Sequence, residues 1–205
     1  MGYKTNTAFG GVIMHGFFAF MNRMKYIKRW SLMRSTTGEN IMEHSQQVAM
    51  LAHALAVINN VVYGGSANPE RAACYAMYHE ASVVVTGDLP TPIKYYNKEL
   101  TEAYKELEAI ATERLNNMLT EELKPAYSPY LSPDKDSIEY KLVKIADKLA
   151  AYLKCVEEIR CGNKELVKAE KTIKATLKSI KSPELDYFMT NFTPAFTLSL
   201  DELDV

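Results

Sequence analysis

Apolar positions recur at three- and four-residue steps along most of the chain, the spacing of helices that bury one face. The clearest run begins at Asn40, a residue suited to cap a helix, with Glu43 at the third helical position, where a capping-box carboxylate reaches back. Val48, Leu51, Leu55 and Ile58 continue its inward stripe, and Gly64-Gly65 ends it. Asn68-Pro69 marks a second start, cap followed by proline, and predicts a helix from Arg71 to about Val84 that turns Ala72, Ala73, Ala76 and Met77 inward. Further helical patterns cover Lys98 to Asn117, Asp136 to Arg160 through Leu142, Ile145, Leu149 and Leu153, and Asn163 to Lys181. Nowhere does a period of two persist long enough for a central strand. The expected fold is therefore all-α, with loops at 31–40, 86–97 and 118–135.

A chain of 205 residues, 47% hydrophobic, can bury one substantial core, so a single domain is expected over residues 15–205. Residues 1–14 are rich in Gly, Thr and Asn, lack an apolar run of signal-peptide length and precede a second potential start at Met14. They read as a disordered leader. The net charge of -1, from 24 basic and 25 acidic residues, provides no field to draw the protein onto a nucleic-acid polymer or an anionic membrane, which leaves small substrates. Cys74, Cys155 and Cys161 are odd in number and lack C-x-x-C spacing, so they indicate neither a disulfide framework nor a zinc knuckle and fit a reducing cytoplasm.

Four histidines can be weighed one by one. His15 lies beside the leader and is expected in solvent. His53 follows His44 by nine residues, about half a turn away in azimuth, so it should face elsewhere and play a structural part. His44 and His79 each sit beside a carboxylate, in Glu43-His44 and His79-Glu80, and Asp147 stands among the apolar Ile145, Ala146 and Leu149 of another helix. Taken singly, each has a plainer reading as a core or surface residue. Together, two imidazoles and one or two carboxylates make a reasonable set for a divalent ion of the manganese, cobalt, iron or zinc type.

These residues fall within a longer pattern: Arg29-Trp30, Glu39-Asn40-x-x-Glu43-His44-Ser45, Met77-Tyr78-His79-Glu80-Ala81-Ser82, Thr86-Gly87-Asp88-Leu89-Pro90-Thr91-Pro92 and Ala146-Asp147. The pattern resembles the 5′-deoxynucleotidases of the HD superfamily of metal phosphohydrolases, from about Phe17 to Asp201. The resemblance implies an all-helical HD domain that releases phosphate from deoxyribonucleoside 5′-monophosphates, and a homodimer. It places one divalent metal ion on His44, His79, Glu80 and Asp147. It assigns catalysis to Arg29, Asp88 and Glu80, and substrate contacts to Arg29, Trp30, His44, Glu80, Asp88, Leu89, Pro90, Thr91 and Asp147. Arg29 offers a planar fork suited to phosphate oxygens, and Trp30 can pack on a sugar edge and penalise an extra hydroxyl. The other reading of Trp30, the only tryptophan, is a core residue.

Two positions depart from the family pattern. Glu80 stands where the superfamily usually has aspartate, which keeps the charge and donor type on a side chain one methylene longer. Val83 stands where the family has a glutamate, four residues after the histidine and one helical turn along the same face. A positioned general acid or base contributes roughly 10²–10⁴-fold to rate. An attenuated enzyme is therefore expected, and three explanations stay open: Val83 is an acquired or engineered inactivating change in an otherwise ordinary nucleotidase, Glu80 serves as base as well as ligand, or the protein binds nucleotides without hydrolysing them.

Overall fold

A computed structural model of the protein describes residues 7–9, 12–94 and 96–203. Two short strands, β1 (Thr7–Phe9) and β2 (Val12–Met14), pair antiparallel with Thr7 opposite Met14. Helices follow: α1 (Phe17–Met21), α2 (Ile41–Tyr63), α3 (Pro69–Tyr78), α4 (Val83–Thr86), α5 (Thr91–Lys94), α6 (Lys98–Asn116), α7 (Lys124–Leu131), α8 (Ile138–Arg160), α9 (Val167–Ser179) and α10 (Pro183–Asn191). The all-α expectation holds for the body of the chain. The strand pair lies in the stretch read as a leader, of which residues 1–6, 10 and 11 are outside the described residues.

Helix α2 starts as its sequence predicts, with the Asn40 side chain accepting from the Met42 and Glu43 N–H groups and Glu43 accepting from Asn40 N. A cap of this kind stabilises a helix by about 1 kcal/mol and fixes which residue opens the first turn. The same helix ends at Gly64, whose φ of 67° is left-handed and favours glycine. Asn68, Ser137 and Ser182 cap α3, α8 and α10 in the same manner.

The main core lies where α2, α3 and α8 meet, with α9 and α10 closing over it. Ala52, Ala56, Ala72, Ala76, Ala146 and Ala150 are all fully buried, and such small residues let helix axes approach to the short end of the usual range of about 8–10 Å. Leu55, Leu149 and Leu153 fill the space between them; truncating a buried leucine of this kind to alanine costs about 2–5 kcal/mol. A second apolar cluster joins Phe17, Met21, Met24, Ile41, Ala81, Val83, Leu115, Met118 and Leu119. On α2 the second cluster ends at Ile41 and the first begins at Val48; past α3 the first ends at Ala76 and the second begins at Ala81. His44, His79 and Glu80 occupy the intervals.

Of the departures from the expected elements, the early end of α3 has an identifiable cause. The helix predicted to reach Val84 stops at Tyr78, because the His79 ring donates from Nδ1 to Ala76 O at 2.6 Å and takes the acceptor that the next turn would use. The chain then winds with i to i−3 bonds, Val83 N to Glu80 O and Val84 N to Ala81 O, into four consecutive β-branched residues, Val83 to Thr86, that favour helix weakly. Position 83 thus does not sit one α-turn after His79 on a continuous helix; Val83 is buried in the second apolar cluster. Within the expected loop 118–135, α7 forms despite Pro125 and Pro129, the first of which sits in the opening turn where no N–H is needed. A single turn, α5, interrupts the expected loop 86–97.

Candidate metal centre and substrate arm

The capping box places His44 at the end of the first turn of α2, facing α8, where its ring is wholly buried. Its Nε2 donates to Asp147 Oδ1 at 3.0 Å. His79 Nε2 lies 3.8 Å from the same oxygen and 3.7 Å from Glu80 Oε1. One donor atom each from His44, His79, Glu80 and Asp147 falls within 4.8 Å of all the others. Ligand atoms around a transition metal with bonds of about 2.0–2.2 Å lie about 3–4.4 Å apart, so the cluster fits an ion with small adjustments. The His79 tautomer fits as well. With Nδ1 committed to Ala76 O, His79 presents a bare Nε2 that is buried and has no hydrogen-bond partner, the state a ligating imidazole needs. The longer side chain of Glu80 still reaches the cluster.

Electrostatics bind the group together. Burial alone would raise the Asp147 pKa, but the hydrogen bond from His44 and the nearby His79 imidazole outweigh it and hold this carboxyl well below its ordinary value. Burial works against the His44 cation, and hydrogen bonds to Asp147 and Glu39 more than offset it, raising this imidazole above its ordinary value. His53 and His15 are exposed and take no part, as their positions in the sequence predict.

Beside the cluster runs an arm, residues 27–40, closed on itself by Ile41 N to Ile27 O, Arg29 N to Glu39 O and the bridge between Lys28 and Asn40. Trp30 on this arm has φ of 58°, left-handed backbone that a bulky side chain rarely adopts and that costs about 1–2 kcal/mol. Glu39 holds it there. Its Oε2 accepts from Trp30 Nε1 at 2.8 Å and Arg29 Nε at 3.3 Å, while Oε1 lies 3.5 Å from His44 Nδ1. Trp30 is half-buried and outside both apolar clusters, which disposes of its reading as a core residue.

The far side of the arm is clamped to α8. Glu158, 1% exposed, accepts from Thr36 N, Thr36 Oγ1, Thr37 N, Asn163 Nδ2 and Lys154 Nζ, and Lys154 also donates to Thr37 O. Reading the sequence missed Glu39, Lys154 and Glu158. The one available signal was a pair of opposite charges four apart in the apolar stretch of α8.

Asp88 follows Gly87, whose carbonyl accepts from Tyr104 Oη, and the loop is braced by the Lys94 to Glu108 ion pair at 2.8 Å. Burial, aided by the charge of Glu80 and opposed by that of Arg29, raises the Asp88 carboxyl above its ordinary value, so this group looks toward the cluster electrically. Leu89 and Pro90 are half-buried beside it; the side chain of Thr91, at the start of α5, lies outside the described residues.

A family model described as 5′-deoxynucleotidase YfbR-like matches residues 16–196. The chain belongs to this family. Within it, a 5′-deoxynucleotidase of Vibrio cholerae is 54% identical over 188 residues, 91% of this chain and 97% of that protein. The fold recurs in an HD-domain phosphohydrolase of Listeria innocua, at TM-score 0.78 and 23% identity over 93% of this chain and 92% of that one. It recurs also in an HD phosphohydrolase of cyanophage S-2L bound to dA and one catalytic Zn²⁺ ion, at TM-score 0.57 and 19% identity over 87% and 95%. As a YfbR-like chain this one is an HD-fold hydrolase; among its described residues no helix is long and apolar enough to cross a membrane.

Proposed function

We propose that the protein hydrolyses deoxyribonucleoside 5′-monophosphates to a deoxynucleoside and phosphate, with one divalent ion held by His44, His79, Glu80 and Asp147. The observation that carries this reading is the convergence of those four side chains beside the arm that holds Arg29 and Trp30. The name of the Vibrio cholerae relative supports the substrate class, and the Zn²⁺ of the cyanophage protein supports a transition metal, of the zinc, cobalt, manganese or iron type. When bound, such an ion polarises phosphate and lowers the pKa of water. Arg29 uses Nε for Glu39 and turns the rest of its fork to phosphate oxygens. Asp88, with its raised pKa, is suited to hold a proton at the attacking or leaving oxygen. Leu89, Pro90 and Thr91 line the substrate on the same loop. The three cysteines are free, which supports a cytoplasmic setting, and a homodimer belongs to this reading as what the sequence resemblance implies.

Trp30 is assigned to the sugar. If its indole fills the space of a 2′-hydroxyl, a ribonucleotide must clash or bury that hydroxyl unpaired, a loss of roughly 1–3 kcal/mol, or about 5- to 150-fold. Trp30→Ala is expected to narrow the gap between dAMP and AMP affinities by admitting AMP, and Arg29→Ala to weaken both alike, measured by calorimetry. A Trp30→Ala variant with undiminished selectivity removes the assignment.

Val83 favours a second reading, a nucleotide-binding module without hydrolysis, because valine can neither give nor take a proton. The four-residue cluster with Glu80 as both ligand and base favours attenuated catalysis instead. Val83 is 3% exposed within the second apolar cluster, so a glutamate there must leave that packing to reach the metal; a Val83→Glu protein that folds and loads metal should then raise the rate of phosphate release by at least about tenfold. An unchanged rate would leave Glu80 as the working base and position 83 without a catalytic part.

A further inference from the structure

Every polar partner of the Glu39 side chain belongs to the proposed machinery. One carboxylate, 11% exposed, receives the indole N–H of the sugar-facing Trp30, the Nε of the phosphate-facing Arg29, and on its other oxygen faces Nδ1 of the metal ligand His44. We propose that Glu39 is a positioning residue that couples occupancy of the metal centre to the conformation of the substrate arm, because His44 and the indole of Trp30 draw on opposite oxygens of one carboxylate, and moving it toward one moves it away from the other. This rests on the metal and sugar assignments above.

An imidazole that ligates through Nε2 must carry its proton on Nδ1, and ligation makes that N–H a better donor. The acceptor facing Nδ1 of His44 is Glu39 Oε1, at 3.5 Å, longer than a good hydrogen bond and with room to close. Buried Nδ1 makes no other hydrogen bond. Closing that gap moves the carboxylate whose second oxygen holds Trp30 at 2.8 Å. Trp30 cannot absorb the movement passively, because its left-handed backbone leaves it strained and dependent on what holds it. A contact that both sites share and that favours one arrangement of each makes the coupling reciprocal.

Trp30 is the only tryptophan, so intrinsic fluorescence reads this one contact. Metal-stripped full-length protein is titrated with Zn²⁺, which does not itself quench, in the absence of any nucleotide. The parent is expected to change its emission with one equivalent of Zn²⁺. Glu39→Gln should bind Zn²⁺ about 10–100-fold more weakly and show no emission change at saturation. Trp30→Phe keeps an aromatic side chain but loses the pyrrole ring with its N–H, which releases Glu39 to close on His44, so Zn²⁺ followed by calorimetry should bind about fivefold or more tightly, although residue 30 is no ligand. An emission change in Glu39→Gln equal to that of the parent, or an unchanged Zn²⁺ affinity in Trp30→Phe, overturns the coupling. If the parent binds one Zn²⁺ with silent fluorescence, the coupling alone falls; if it binds none, the metal reading falls with it.

Discussion

His79→Ala and Asp147→Ala should each leave the protein unable to retain one equivalent of divalent metal, while His53→Ala retains it in full. Asp147 meets both imidazoles, at 3.0 Å from His44 Nε2 and 3.8 Å from His79 Nε2, so losing it removes a ligand and the carboxylate that both rings face. Losing His79 removes the one donor whose tautomer is locked by a backbone carbonyl. Lewis-acid stabilisation of several kcal/mol disappears with the ion, and phosphate release should fall by about 10³-fold or more. Elemental analysis and a phosphate assay on the same preparations measure both, with helical circular dichroism as the folding check. A His79→Ala protein that kept a full equivalent of tightly held metal would show that the ion sits elsewhere.

The second large effect is on stability. Glu158→Gln should destabilise the fold by about 3–5 kcal/mol near neutral pH, because Lys154, itself 7% exposed, is left as a buried cation without its partner. Burial raises the Glu158 pKa, but bonds from Asn163, Lys154 and Thr36 outweigh that and pull it far below the ordinary 4.5. A carboxyl depressed in the folded state contributes stability that is present above its unfolded pKa and lost as pH falls toward the folded one. The gap between parent and Glu158→Gln in denaturant unfolding should therefore be full at about pH 6–7 and shrink progressively below about pH 4.5. A gap that stayed constant on acidification would mean that the carboxylate charge is not what holds the arm. Since Thr36 and Thr37 lie on the arm that carries Arg29 and Trp30, the variant should also lose nucleotide affinity before it loses metal.

These two sites differ in how far the sequence revealed them. Helices α2 and α8 were legible because their signals are local: a capping box at Asn40, a stripe through Leu51 and Leu55, another through Leu142 and Leu149. His44, His79, Glu80 and Asp147 were legible as a set through the resemblance, and the structure brings all four together. The end of α3 was not, because it depends on the His79 ring taking the Ala76 carbonyl, a competition that periodicity does not encode. Glu39 lies next to a helix cap and read as part of a motif with no role of its own; its meaning comes from three partners that only the folded arm assembles. Glu158 meets Thr36 across 122 positions of sequence, beyond any local pattern. The left-handed Trp30 has no sequence signal at all, since tryptophan is among the last residues expected there.

The most direct test of the proposed function is phosphate release from a panel of ribo- and deoxyribonucleoside 5′-monophosphates, run with the chelated protein and again after adding Zn²⁺, Co²⁺ or Mn²⁺. The proposed chemistry predicts release from dAMP and its congeners that requires metal, proceeds slowly because of Val83, and exceeds release from AMP by about 5- to 150-fold. Nucleotide binding without phosphate release under every metal condition, or equal turnover of AMP and dAMP, would contradict it.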